Sequence, residues 1–161
     1  MQSKGLIVMI EIVNCPLEEF DEAEILAYQV NCLGRYNSKK LIALRNKYPE
    51  VYEGYRNFCK ENKHKLLGSV YICDTNDGKT IANLFGQDRY GRVGRYTDYN
   101  ALNSALYSLA NYMKDCGMQS VAFPYKIGCG TGGGDWNLVS KMIQEHFKDF
   151  DVYYCKIEEQ V

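Results

Sequence analysis

The sequence lacks any apolar run approaching the ~20 residues that a membrane-spanning helix requires. Its N-terminal apolar stretch, residues 5–12, is short and interrupted by Glu11, so no signal peptide is expected. It also lacks an excess of either charge: 19 Lys and Arg face 20 Asp and Glu, a formal net charge of −1. A duplex-DNA binder rests on many Lys and Arg contacts to phosphate, so that class of partner is not expected. The one basic cluster, Arg35 to Lys47, can still meet a small anion locally.

The seven cysteines (Cys15, Cys32, Cys59, Cys73, Cys116, Cys129 and Cys155) are odd in number and contain no C-x-x-C pair. Neither a disulfide framework nor a zinc site fits that spacing. Most sit in apolar runs, which reads as buried thiols in a reducing cytoplasm. His64 and His146 have no partner at catalytic spacing, so no Ser-His-Asp or Cys-His arrangement can be built. No metal or cofactor is expected. There is no internal repeat, low-complexity segment or Pro/Gly-rich linker. A length of 161 residues suits one domain, 1–161.

What is present is an alternation of strand and helix patterns. Residues 6–13 and 25–30 read as strands, and residues 39–47 as a helix. Pro49 fits the first turn of a second helix, with Val51, Tyr52, Tyr55, Phe58 and Cys59 on one face. Residues 70–73 and 80–85 flank Asn76-Asp77-Gly78, a hairpin signal. The clearest helix covers residues 98–116, with Leu102, Ala105, Leu106, Leu109, Ala110 and Met113 in register and Gly117 as its C-terminal cap. Residues 121–123 form a short strand and residues 152–157 the last one. Between them a helix begins at Asp135 with Leu138, Val139, Met142 and Ile143 inward. This order predicts an α/β fold with a mixed sheet and helices on both faces, mixed because the hairpin forces one antiparallel pair.

Between strand and helix lies Ile127-Gly128-Cys129-Gly130-Thr131-Gly132-Gly133-Gly134-Asp135-Trp136. Glycines permit positive φ and remove side chains, so successive N–H groups can line one hollow. The helix N-terminus adds unpaired donors and a positive dipole end. Together they suit a phosphate. A plain turn would gain little from five glycines in seven residues, because each costs about 0.5–1 kcal/mol of chain entropy. The formal G-x-G-x-x-G within it stands near the C-terminus, where a dinucleotide fold would not place it. No Lys-Ser or Lys-Thr follows, which excludes a P-loop.

Three stretches resemble the macrodomain family, in particular its compact branch of ADP-ribose-1″-phosphate phosphatases and the terminal ADP-ribose protein glycohydrolase. They are Val30-Asn31-Cys32-Leu33-Gly34, then Asn46 to Tyr52 with Tyr55, Cys59 and Leu67-Gly68, and the glycine loop with Asp135-Trp136. The resemblance implies a three-layer α/β/α fold with a central mixed sheet, and a cleft at the strand ends that binds ADP-ribose or a derivative, free or on a macromolecule. It implies that Gly128, Cys129, Gly130, Thr131, Gly132, Gly133 and Gly134 cradle the diphosphate, and that Asn31 and Gly34 lie at the distal ribose. Gln87, Tyr90 and Arg92 would form the rim, and Asp135, with Asn31, would carry the catalysis.

The sequence departs from the family at three places. Arg35-Tyr36-Asn37-Ser38-Lys39-Lys40 replaces further glycines, which would narrow the cleft or add positive charge. Pro16 stands where the family has an adenine-binding Asp, with Glu18 and Glu19 nearby. Gln87 and Gly132 stand where the glycohydrolase variant has its Lys and Asp, which argues against a covalent lysine.

Each residue also has a plainer reading. Asp135 is a favoured helix N-cap. Asn31 can pin the turn that follows it. Trp136 reads as packing at the loop–helix junction. Arg89, Arg92 and Arg95 recur every third residue in a loop, where that spacing does not converge. Tyr90, Tyr96 and Tyr99 sit in or beside the rim. Lys39 and Lys40 read as a solvated helix start, and Cys129 as a small loop residue. The leading expectation is a cytoplasmic ADP-ribose-binding domain that hydrolyses ADP-ribose 1″-phosphate or ADP-ribosyl esters. The alternative is a binding module without catalysis, for ADP-ribose or a related nucleotide metabolite. A third is an interaction domain with a decayed pocket, which the intact glycine motif opposes.

Overall fold

A computed structural model describes residues 9–157. The start of the first expected strand, residues 6–8, lies outside the described residues. Six strands form one sheet: β1 (Met9–Asn14), β2 (Ile25–Asn31), β3 (Val70–Asp74), β4 (Thr80–Gln87), β5 (Ser120–Pro124) and β6 (Asp151–Lys156). Four helices connect them: α1 (Lys39–Lys47), α2 (Pro49–Glu61), α3 (Tyr99–Cys116) and α4 (Trp136–His146). The strand order is β1-β6-β5-β2-β4-β3. All neighbours are parallel except β3 on β4, the hairpin closed at Gly78 with φ 87°.

Parallel strands need helices on both faces to bury them. One apolar layer packs Leu102, Leu106, Leu109, Val139, Ile143 and Phe147 of the α3–α4 side against Ile25, Ala27, Leu84, Val121 and Phe123. The other packs Leu41, Leu44, Val51 and Tyr55 of α1 and α2 against Leu26, Tyr28, Ile81, Phe85 and Ala122. The architecture is therefore three-layered α/β/α around a mixed sheet. On the α4 helix Leu138 is 45% exposed rather than inward. Val139, Ile143 and Phe147, spaced by four, hold the buried stripe and turn Leu138 to its flank. Cys116 is exposed and all seven cysteines are free thiols. Among the described residues no helix is long and apolar enough to cross a membrane.

The chain leaves β2 toward one edge of the sheet and leaves the neighbouring β5 toward the other. From β2 it winds outward through α1 and α2 to the β3–β4 hairpin; from β4 it returns through α3 to β5 and β6. Strands β2 and β5 pair only at Ile25–Val121 and Leu26–Ala122. Beyond those pairs they separate, and the loops leaving them run to opposite faces. In an open α/β sheet such a switch point leaves a crevice at the carboxyl ends of the strands.

Candidate functional site

The crevice contains a cavity of about 90 Å³ whose walls include Gln29, Asn31, Asn37, Lys40, Gln87, Pro124, Lys126, Gly128, Gly130, Thr131 and Gly132. On one side it shares Lys40 and Pro124 with a cavity of about 570 Å³ that includes Pro16, Glu18, Tyr125 and Lys156. On the other it shares Asn37 with a cavity of about 640 Å³ that includes Gly34, Arg35 and Tyr90. The three form one furrow, with the glycine loop in its middle.

The glycine loop divides into two halves with different tasks. In the first, the N–H groups of Gly130, Thr131 and Gly132 find no acceptor among the described residues. Three successive unpaired donors on a cavity wall are the chemistry an anion requires. Lys126 opens this half with φ 59°, the single non-glycine residue of positive φ among those described. In the second half the chain turns back on itself. Gly134 N donates to Gly128 O at 2.9 Å, and Tyr96 N and Thr97 N donate to Gly132 O at 2.7 and 2.9 Å. Thr97 Oγ1 donates to Gly128 O at 2.6 Å. A Cβ on Gly132 would stand 2.5 Å from Thr97 Oγ1, and one on Gly133 2.5 Å from Gly94 O. These later glycines answer to close backbone approach, while Gly130 has nothing within 4 Å.

Asn31 is the buried last residue of β2, and its side chain holds the turn that follows. Its Nδ2 donates to Arg35 O at 2.8 Å and to Asn37 Oδ1 at 3.1 Å, and its Oδ1 accepts from Leu33 N and Tyr55 OH. Both donors and both acceptor positions of the amide are thus engaged. Gln87 is similarly held: Oε1 accepts from Gln29 Nε2 at 2.7 Å and Nε2 donates to Arg89 O at 2.9 Å. Gln29 Oε1 and Tyr28 OH, on two further residues of the cavity wall, are buried without a partner among the described residues. Unpaired buried polar atoms are costly and await a ligand or water.

Asp135 caps α4, its carboxylate accepting from Asn137 N at 2.8 Å. It is exposed, and with Arg92, Cys129, Gly133 and Gly134 it lines none of the three cavities. Burial and the Asp135 carboxylate push the Cys129 thiol up to about 11, so it is neutral at physiological pH. Trp136 is half-buried, with its ring centre 5.1 Å from that of Tyr154 and 5.7 Å from that of Tyr125, both in edge-to-face contact. Gly34 and Tyr90 belong to the third cavity.

The loop that departs from the family distributes its side chains. Tyr36 turns into the core, stacked 4.7 Å from Tyr55, with its hydroxyl donating to Asn83 Oδ1. It therefore stays clear of the glycine-loop cavity and contributes only to the wall of the third cavity. Ser38 caps α1 through Leu41 N at 3.2 Å. Lys40, read from sequence as solvated, keeps contact with water but is crowded by the walls of two cavities. That desolvation lowers its pKa. Of the two carboxylates near Pro16, Glu18 lines the second cavity, while Glu19 pairs with Lys47 at 3.0 Å. Lys126, Asn37 and Gln29 were missed in sequence. A backbone in left-handed conformation at a lysine and an asparagine in a polar turn carry no local signal of their role. Among the described residues no cluster of His, Cys, Asp or Glu is arranged to hold a metal.

Comparison with known proteins agrees with this architecture. The Macro domain model matches residues 31–143. The DNA ADP-ribosyl glycohydrolases of Mycobacterium tuberculosis and Mycobacterium bovis are 28% identical over 129 residues, covering 79% of this chain and 36% of theirs. The chain thus spans about a third of the length of the curated relatives it matches. The macrodomain of M. tuberculosis DarG superposes with TM-score 0.80 at 24% identity, covering 94% of this chain and 99% of that one. Thermosipho africanus DarTG, solved in complex with ADP-ribose, gives 0.77 at 18% identity, covering 97% of this chain and 44% of its own. A Bacteroides thetaiotaomicron protein of unknown function gives 0.80 at 22%, covering 92% and 99%. With a family model matched over residues 31–143, and a solved macrodomain superposing at a TM-score of 0.80, the chain belongs to the macrodomain family.

Proposed function

We propose that this chain acts as one macrodomain that binds ADP-ribose along the furrow and releases it from a linked group. The observation that carries this reading is the set of unpaired N–H groups at Gly130, Thr131 and Gly132, with Lys40 and Lys126 in the same cavity wall. A diphosphate needs several fixed donors and neutralising charge, and here both meet. The adenosine half would occupy the cavity of Pro16, Glu18 and Tyr125, where the Glu18 carboxylate can accept from an exocyclic amine. The distal ribose would lie toward Asn37 and Gln87.

The linked group would be the phosphate of ADP-ribose 1″-phosphate or the acyl group of an ADP-ribosyl ester. Water adds at the scissile bond and the departing group takes the proton. Gln87 and Gly132 leave no lysine nucleophile and no carboxylate at those positions of the wall. Asp135, committed to its cap, is poorly placed to activate water. Orientation on the donors and the substrate's own phosphate as base are then the sources of rate. A reducing cytoplasm suits the seven free thiols.

Titration calorimetry with ADP-ribose tests the binding. One exothermic site is expected, and absence of heat refutes it. Conversion of ADP-ribose 1″-phosphate to ADP-ribose and phosphate, followed by phosphate release, tests the reaction. The engaged Asp135 favours a second reading, a binding module without catalysis, which binding with no turnover would select.

A further inference from the structure

ADP-ribose placed as above ends at Asn37, and the third cavity lies beyond it. The wall of that cavity gathers Arg35, Arg45, Arg56, Lys60 and Lys63, and none of its lining residues is Asp or Glu. In a chain of net charge −1 that is a strong local excess. The dipole of α2 accounts for part of it. A helix C-terminus favours cations, and Lys60 stands in the last turn with Lys63 just past the C-cap at Asn62. The dipole does not account for Arg35, from the turn pinned by Asn31, or for Arg45, from α1. Three segments therefore converge on one hollow. Among the described residues the only ion pair any of the five makes is Arg56 with Glu53, at 4.0 Å and on the surface. Pairs of that kind contribute little. The guanidinium carbons of Arg45 and Arg56 lie 5.4 and 5.7 Å from the centre of the Tyr52 ring, which pre-orients both. Burial pushes the Cys32 thiol in the same wall up to about 12, and raises that of Cys59, so no thiolate offsets these cations.

Cations gathered in this way repel one another unless an anion joins them. A terminal phosphoryl group carries about 1.5–2 negative charges near neutral pH, so one alone leaves about three of the five unmatched. Each further phosphoryl group in a chain adds one charge, and three bring the total to about four. The volume of about 640 Å³ is that of a small-molecule pocket rather than of a groove for an extended polymer. Tyr90, half-buried at the edge, has no ring or cation packed on it among the described residues, which leaves a face on which a base can stack. No carboxylate or deprotonated thiol stands on the wall to activate water, so an anion seated there is held and not cleaved.

We propose that this cavity is a second ligand site, apart from the donors of the glycine loop, that takes a free polyphosphate chain of three or more phosphoryl groups, inorganic or carried on a nucleoside. Asn37 is the shared wall between it and the loop cavity. The Asn31 amide donates to Arg35 O and to Asn37 Oδ1, so one side chain holds both a wall of this site and its boundary with the furrow. The function proposed above fixes only what lies beside the site; the cations and their convergence stand without it.

The test is titration calorimetry without divalent metal, using sodium triphosphate, ATP and orthophosphate, each with and without saturating ADP-ribose. Triphosphate is expected to bind at one site in both conditions, at least tenfold more tightly than orthophosphate and more weakly as salt rises. Lys60→Gln with Lys63→Gln, both exposed and away from the core, should weaken triphosphate at least tenfold. The melting temperature and the ADP-ribose heat of that variant should be unchanged. Tyr90→Ala distinguishes the two sources of the chain. It should weaken ATP and spare triphosphate if the chain comes on a nucleoside, and spare both if it is inorganic. Absence of triphosphate binding, binding insensitive to the lysine pair, or full displacement by ADP-ribose overturns the site. So does a poly-glutamate peptide or a single-stranded oligonucleotide that binds more tightly than triphosphate. Triphosphate binding by a protein that gives no heat with ADP-ribose would sustain this site and refute the ADP-ribose reading alone.

Discussion

Replacing Gly130 and Gly132 separately by alanine distinguishes a ligand-holding glycine from a packing glycine. At Gly130 the added methyl has nothing within 4 Å, and φ lies outside the left-handed region. Alanine there restricts the unfolded chain and should stabilise by about 0.4–1 kcal/mol. At Gly132 the methyl would stand 2.5 Å from Thr97 Oγ1 and 2.7 Å from Gly128 O. Gly132 O also accepts from Tyr96 N and Thr97 N, so relief of the clash strains both bonds. Overpacking costs about 1–3 kcal/mol and a weakened hydrogen bond about 1 more. For a chain of this size ~1 kcal/mol moves the melting temperature by roughly 2–4 °C. Thermal denaturation should show Gly132→Ala lower by roughly 4–16 °C and Gly130→Ala unchanged or slightly higher. ADP-ribose calorimetry should reverse the ranking of harm. A methyl among the donors that hold the diphosphate should weaken Gly130→Ala by about 10–100-fold, or ~1.4–2.8 kcal/mol. A Gly130→Ala protein that folds and binds as the parent does would refute the placement of the diphosphate. A Gly132→Ala protein of parental stability would refute the close-approach argument.

Lys40→Met should weaken ADP-ribose by about tenfold or more, as expected for a lost charge-assisted hydrogen bond. Its folded pKa lies below the unfolded one through desolvation, so its charge costs stability at neutral pH, and the cost fades as pH rises through the folded pKa. The variant should be at least as stable at pH 7 by denaturant titration, and its ADP-ribose affinity should lose the parent's decline at alkaline pH. Asp135→Ala should cost about 1 kcal/mol as a lost cap, whereas Asp135→Asn retains the cap. Turnover of ADP-ribose 1″-phosphate should survive Asp135→Asn; its loss with binding intact would reinstate Asp135 as a general base. Cys129, held near 11, should resist iodoacetamide at pH 7 while exposed Cys116 is alkylated, read by peptide mass spectrometry.

Much of this fold was legible because its signals are local. The hairpin rests on Asn76-Asp77-Gly78, the α3 boundaries on Asp98 and Gly117, and each carries its own backbone chemistry. Strand order was not readable from such signals, since parallel pairing is decided by contacts distant in sequence. Leu138 was misplaced for a related reason: α4 offers four apolar candidates, and only the sheet beneath selects Val139 and Ile143. The glycine loop was legible as a loop with something to hold, but not as two halves. That division depends on Thr97 and Gly94, nearly forty residues earlier, pressing against Gly132 and Gly133.

The replaced loop after β2 shows the same limit from the other direction. Its residues announce bulk and charge, which on sequence alone suggests a narrowed cleft. Folding separates them by chemistry. The Tyr36 ring finds Tyr52 and Tyr55 and leaves the glycine-loop cavity, Lys40 stays on that cavity's wall, and Arg35 joins cations of α2 in the wall of the third cavity. Asn31 makes this partition possible, because its amide fixes the carbonyl of Arg35 and the side chain of Asn37 together. Asn31→Ala would release that turn, and it should weaken ADP-ribose and lower the melting temperature together. An asparagine acting only on the ribose would leave the melting temperature unchanged. The loop therefore matters less for what it removes from the family's cleft than for the positive charge it places beyond the distal end.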